Sequence, residues 1–369
     1  MIPFVDIQRF HAPIREALHT AAIRVIDGGH YIGGEEVKRF EQEMAAWLGV
    51  PEICGVACAT SGLFAILKGL GIGPGDEVIT SAHTAIATAE AISLTGAQVV
   101  FCDLQPDYFF LDPADVEKRI TPRTRALVPV HLYGQPADLD SLRRLAQAHG
   151  LFLVEDCAQA QGARYRGRLV GTGSDAAVFS FFPSKNLGGF GDGGAVVARD
   201  PAMMKRIRML SNHGRATKYD HEFEGINSRL DALQAALLRV CLTQLDEWNA
   251  RRRQVARWYD AGLAGIQSIT LPRVWPETEP VYHVYVILAS RRDELQAFLK
   301  QHQIETGIHY PLSLNVQPAY ARLKQPAGSF PRAEAVCQQV LSLPMHPAVT
   351  QPEVEQVCAA IRGFYLERP

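Results

Sequence analysis

Lys185 stands where a lysine is normally unwelcome. It follows the apolar run Ser180-Phe181-Phe182-Pro183 and precedes Asn186-Leu187-Gly188 and the loop Gly189-Phe190-Gly191-Asp192-Gly193-Gly194. Glycines let backbone approach a ligand closely. The amine is therefore expected to be held against such a ligand, although most loop lysines are simply solvated. A second apolar run, Leu151-Phe152-Leu153-Val154-Glu155-Asp156, ends in carboxylates and continues as Cys157-Ala158-Gln159. Alone, Asp156 also reads as a helix cap or turn residue. Together, a shielded amine and an acid at a strand end are what a pyridoxal 5′-phosphate enzyme needs. The amine forms an imine with the aldehyde, and the carboxylate keeps the pyridine nitrogen protonated so that the ring accepts electrons.

The glycine loop also fits the spacing of a dinucleotide fingerprint, which must open a helix. The next residues, Ala195-Val196-Val197-Ala198-Arg199, read as a strand, so the context excludes that use. A dianionic phosphate needs its own cradle. Ala59-Thr60-Ser61-Gly62 lies between a strand and the helical Leu63-Phe64-Ala65-Ile66-Leu67-Lys68, placing free N–H groups and hydroxyls at a helix N-terminus. Thr60 or Ser61 can serve there as the N-cap as well. Ser180, leading toward Lys185, is a second hydroxyl for the same anion.

From about residue 34 to about 250, strand-length apolar runs alternate with helix-period segments, the pattern of an α/β sheet. Strands are expected at 55–58, 77–80, 98–102 and 126–130, in the runs ending at Asp156 and Phe182, and after Gly194. Several are apolar on both faces, as strands covered by helices on each side must be. Helical faces include Val37, Phe40, Met44 and Trp47, and Leu142, Leu145 and Ala146. A long helical segment over about 229–263 leads to a mixed α+β remainder with strand-like 281–287 and helices near 292–303, 331–341 and 351–363. This divides the chain into a large cofactor-binding domain, 1–250, and a small C-terminal domain, 251–369.

The 369 residues are 47% hydrophobic and 21% charged with a net charge of -2, which argues against a nucleic-acid binder. No apolar run approaches the ~20 residues that span a bilayer. Seven cysteines without a CxxC pair suggest reduced thiols in a cytoplasmic protein. Cys54 and Cys58 read as packing residues of a strand, and no metal site is expected.

Segments in order along the chain resemble the DegT/DnrJ/StrS family of aminotransferases acting on nucleotide-linked sugars. They include His30-Tyr31-Ile32-Gly33-Gly34-Glu35-Glu36-Val37, Gly71-Ile72-Gly73-Pro74-Gly75-Asp76-Glu77-Val78-Ile79 and Pro129-Val130-His131-Leu132-Tyr133-Gly134-Gln135. Further matches are Gly225-Ile226-Asn227-Ser228-Arg229-Leu230-Asp231, Gly307-Ile308-His309-Tyr310-Pro311 and Leu341-Ser342-Leu343-Pro344-Met345. The resemblance implies the aspartate aminotransferase-like fold, fold type I of pyridoxal phosphate enzymes. It implies that Lys185 carries the cofactor, Asp156 pairs with the pyridinium and Gln159 contacts the ring hydroxyl oxygen. Ala59, Thr60 and Ser180 would bind the phosphate, with Asn227 reaching it from the second subunit of a homodimer with shared sites. Arg229, His309 and Tyr310 would contact the sugar nucleotide.

Two departures stand out. Many members place an aromatic ring over the cofactor where this chain has Ala85, so stacking would fall to His83. Asn315 replaces a histidine common in relatives and would adjust substrate choice. Lys185 itself favours transamination, since dehydrating relatives carry histidine there. Ala82-His83-Thr84 and the Asn227–Asp231 segment lean toward 3-keto over 4-keto sugars. The expected reaction is a ping-pong transfer from an amino-acid donor, glutamate by resemblance, through pyridoxamine phosphate to a nucleotide-linked keto sugar. A dehydratase and a non-catalytic regulator of the same fold are the competing readings.

Overall fold

The computed structural model describes residues 1–367. Seven strands form one sheet: β1 (Cys54–Val56), β2 (Glu77–Ser81), β3 (Gln98–Cys102), β4 (Thr124–Val128), β5 (Phe152–Asp156), β6 (Ala176–Ser180) and β7 (Gly194–Ala198). Their spatial order is β1-β7-β6-β5-β4-β2-β3. Every pairing is parallel except the two made by β7. Side chains alternate between two cores, as a doubly covered sheet requires: Ala177 and Phe179 of β6 join one, Ala176 and Val178 the other. The helix Gly34–Leu48 buries Phe40 and Met44 as its periodicity predicts, with Val37 and Trp47 only partly covered.

The expected long helix is two helices, Ala232–Leu242 and Leu245–Leu263. Between them the Thr243 hydroxyl donates to the Val240 carbonyl at 2.8 Å, and the Gln244 N–H turns to Cys241 at 3.0 Å. A side chain competing for helix carbonyls breaks the ladder without proline or glycine. The second helix runs through residue 250: Leu245 and Trp248 belong to the large core, whereas Val255, Ala256, Tyr259 and Leu263 belong to the small one.

The small core packs around a second sheet, β8 (Ile269–Thr270), β9 (Tyr285–Ala289) and β10 (Val340–Leu343), all antiparallel in that order. Helices Arg292–Gln301 and Gln351–Glu367 add to this core, and so does Ile2 from the other end of the chain. All seven cysteines are free. Among the described residues no helix is long and apolar enough to cross a membrane. The parallel strands end along one edge of the large sheet, so the loops after β2, β4, β5 and β6 converge where open α/β sheets take their ligands.

Candidate active site

Those loops enclose a cavity of about 200 Å³. Lys185 enters it from the turn after β6. Its N–H bonds the Phe182 carbonyl at 2.8 Å. The turn is so tight that a Cβ on Gly188 would lie 2.2 Å from the Pro183 oxygen. Burial pulls the Lys185 amine down to about 8, against the nearby charge of Asp156, which raises it. An amine set there is available in its neutral, nucleophilic form.

Asp156 closes β5, and both its oxygens are engaged. Oδ1 accepts the Ala158 N–H at 3.0 Å and Oδ2 accepts the Thr88 hydroxyl at 2.8 Å. Gln159 is clamped at both ends of its amide: Oε1 accepts the Tyr133 N–H at 2.7 Å and Nε2 donates to the Tyr310 hydroxyl at 3.3 Å.

The anion cradle is the start of the helix Ala59–Gly69. Cys58 is its N-cap: its Sγ accepts the Ser61 N–H at 3.5 Å, and its carbonyl accepts the Gly62 N–H at 3.0 Å. Helix geometry leaves the first N–H groups without intrahelical partners, so those of Ala59 and Thr60 remain for an anion. Gly194 lets β7 pass beneath: a Cβ there would meet the Ala59 nitrogen at 2.9 Å and the Phe179 oxygen at 2.8 Å. Cys58 is thus a cavity-lining cap and not a strand packing residue, because β1 ends at Val56. Buried Ser180 also lines the cavity, its Oγ accepting the Phe182 N–H at 3.3 Å.

His83 is not among the lining residues; Ala85 is. The His83 ring sits behind, with Nε2 2.7 Å from the Tyr133 hydroxyl and Nδ1 3.2 Å from Cys337 Sγ. Burial drives its pKa down to about 3. Both ring nitrogens are thus engaged within the fold. Asn315 is likewise tied into the fold. It is buried, its Nδ2 reaches Glu334 at 3.1 Å and its Oδ1 accepts the Ser313 hydroxyl at 2.7 Å, so its amide is engaged within the fold.

The remaining expected residues surround the cavity without lining it. His309 Nδ1 lies 2.8 Å from the Ser342 hydroxyl and its ring stacks on Phe4, while burial and then the Lys185 charge pull it down to about 4. Burial pushes Tyr310 up to about 12. Arg229 donates to Asn212 at 3.3 Å, and its Nε is buried without a partner among the described residues. Asn227 is exposed. Its neighbour Ser228 bonds Ser61 Oγ at 2.7 Å, which fixes this segment to the anion cradle.

Sequence reasoning missed Thr88 and Tyr133. Tyr133 is buried at φ 61°, and its hydroxyl also donates to the His309 carbonyl. Non-glycine residues held there mark functional sites, but nothing local in Leu132-Tyr133-Gly134 announces it. His131, Glu155 and Cys157 bring ligand atoms within 4.8 Å of one another, all buried. His131 Nδ1 accepts the Ala137 N–H at 3.0 Å and Nε2 meets Glu155 at 2.9 Å, so the imidazole has no lone pair left for a cation.

The residues fit pyridoxal phosphate on a structural test. Thr84, which lines the cavity, has a buried hydroxyl with no partner among the described residues, as expected where a polar ligand completes the site. The amine, the doubly held acid and the free helix N–H groups match aldehyde, ring nitrogen and phosphate. The class so defined is the pyridoxal-phosphate-dependent aminotransferases of the aspartate aminotransferase-like fold. Within that class, residues 13–362 match the DegT/DnrJ/EryC1/StrS aminotransferase family, to which this chain belongs.

A dTDP-3-amino-3,4,6-trideoxy-alpha-D-glucose transaminase from Streptomyces venezuelae is 51% identical over 363 residues, covering 98% of this chain and 96% of the relative. The crystal structure of S. venezuelae DesV in complex with a ketimine intermediate superposes with a TM-score of 0.97 at 50% identity, covering 100% of this chain and 99% of that one. Bacillus subtilis NtdA with bound cofactor PMP matches with a TM-score of 0.92 at 28% identity, covering 100% and 85%. The cofactor is pyridoxal 5′-phosphate, alternating with pyridoxamine phosphate.

Proposed function

We propose that this protein moves an amino group from glutamate to the C3 keto carbon of a nucleotide-linked sugar, acting as a homodimer in the cytoplasm. The observation that carries the proposal is the neutral-prone Lys185 amine in one cavity with the carboxylate of Asp156. The 3-amino product named for the S. venezuelae relative supports the sugar position. When bound, pyridoxal phosphate supplies the aldehyde and an electron-accepting ring.

The chain's own residues then have separable tasks. Lys185 would hold the cofactor between turnovers, and its free Nζ would move the proton from the donor Cα to C4′. Asp156 keeps the ring nitrogen protonated. Ala59, Thr60 and Ser180 hold the phosphate, and Gln159 orients the ring hydroxyl. Exposed Asn227 would reach the phosphate bound by the partner subunit, and Arg229, His309 and Tyr310 would contact the sugar nucleotide. A dehydratase reading requires histidine at position 185 and is disfavoured.

Borohydride treatment of the purified protein followed by peptide mapping should label Lys185 alone. Label elsewhere, or none, would reject the assignment. Release of 2-oxoglutarate beyond the first equivalent per site should depend on a 3-keto sugar nucleotide; equal turnover with a 4-keto isomer removes the positional claim. Asn227→Ala should weaken cofactor binding in the dimer. Equally tight binding by a dissociated monomer would refute the shared site.

A further inference from the structure

We propose that Thr88 is a positioning residue that holds the Asp156 carboxylate aimed at the cofactor ring nitrogen. The inference rests on the reading that Asp156 faces that nitrogen. Thr88 is in the first turn of the helix Ile86–Leu94, is 1% exposed, and lines the cavity. Its hydroxyl lies 2.8 Å from Asp156 Oδ2. An ionised carboxylate only accepts, so the hydroxyl is the donor. The Ala158 N–H occupies Oδ1 at 3.0 Å from the other side. Asp156 is 6% exposed, so these two donors replace the water that would otherwise solvate it.

Two consequences follow from the geometry. The two donors approach different oxygens from different elements, so the carboxylate cannot swing away from the cavity. The donors also lock the carboxylate plane, leaving its remaining lone pairs for the ring. The Ala158 donor is backbone and comes with the strand end. Thr88 is a side-chain choice contributed by a different element, so the helix Ile86–Leu94 is coupled to the electronics of the cofactor. Serine can make the same bond; valine matches the shape without the hydroxyl.

The test compares cofactor with an analogue in which carbon replaces the ring nitrogen. Apo forms of wild type, Thr88→Val, Thr88→Ser and Asp156→Asn are titrated with pyridoxal phosphate and with 1-deazapyridoxal phosphate, following tryptophan fluorescence. Wild type should prefer pyridoxal phosphate, and Thr88→Val should lose roughly tenfold or more of that preference, the scale of a hydrogen bond to a charged group. Thr88→Ser should keep it. If Thr88→Val weakens both ligands equally, or neither, Thr88 is only structural and the inference fails. If Thr88→Val does not fold, Thr88→Ser still decides: a preference as low as that of Asp156→Asn overturns the proposal. Should Asp156→Asn itself retain the full preference, the assignment of Asp156 falls instead.

Discussion

Replacing Lys185 by methionine should stabilise the apo protein while abolishing turnover. Burial lowers the amine from 10.5 to about 8, so its charged form is disfavoured in the fold. At about 1.4 kcal/mol per tenfold, the protonated lysine destabilises the cofactor-free fold by on the order of 3 kcal/mol, less whatever its exposed edge recovers from water. Methionine keeps an apolar stem of similar reach and carries no charge. With an unfolding entropy of ~2.1 cal/mol/K per residue, that energy corresponds to a rise in Tm of about 4 °C. The pH dependence carries a definite sign. Between about 8 and 10.5 the unfolded chain holds a proton that the fold has released, so wild-type apo protein gains stability as pH rises through that window. Below it the penalty is complete. Calorimetry of both apo proteins at pH 7 and pH 10 reads the effect directly. The difference should be largest at pH 7 and nearly vanish by pH 10.5; a methionine variant no more stable at pH 7, or a gap indifferent to pH, refutes the reasoning.

Tyr133→Phe removes the hydroxyl that His83 and the His309 carbonyl share, leaving buried polar atoms unpaired; a loss of about 1–3 kcal/mol should appear as a lower urea midpoint with unchanged m. Burial would raise Glu155, but the interactions with His131 together with the hydrogen bonds of Ser174 and the Gly171 N–H outweigh it and hold the carboxyl below 4.5. Its stabilising contribution is therefore present above pH 4.5 and lost as pH falls further, so Glu155→Gln should lower stability at pH 7 by about 1–3 kcal/mol and flatten the acid limb of a Tm-versus-pH curve. Asn315→Ala should lower the unfolding midpoint by a comparable amount while changing KM for the sugar nucleotide by no more than roughly twofold. A large KM change with stability intact would restore Asn315 to the substrate site.

The sheet, the strand carrying Asp156 and the turn carrying Lys185 were legible because each is a local pattern: an apolar run, a charge at its end, glycines where backbone must pass. The helix start at Ala59 was legible for the same reason. What escaped was set by contacts between distant segments. His83 lies in an apolar stretch that says nothing of Tyr133 and Cys337, which meet its nitrogens from 50 and 254 residues away. Nothing in the segment around Asn315 signals that its amide is used by Ser313 and Glu334. The break at Thr243 depends on one hydroxyl choosing a helix carbonyl, a choice that helical periodicity does not register.

Tyr133 shows how such distant contacts join the two domains to the chemistry. Its N–H holds Gln159 at 2.7 Å, and its carbonyl accepts the His283 N–H at 2.9 Å. The adjacent Gly134 carbonyl accepts the Val281 N–H at 3.0 Å. With φ at 61°, Tyr133 can address the large domain with its N–H and the segment leading into β9 with its carbonyl. A shift of the small domain against the sheet would therefore pull on the N–H that holds Gln159. Strain stored at one left-handed tyrosine is persistent only if the contacts on every side hold it there. Here they come from His83, Gln159, His283 and His309, which makes the inter-domain angle and the cofactor pocket parts of one constraint.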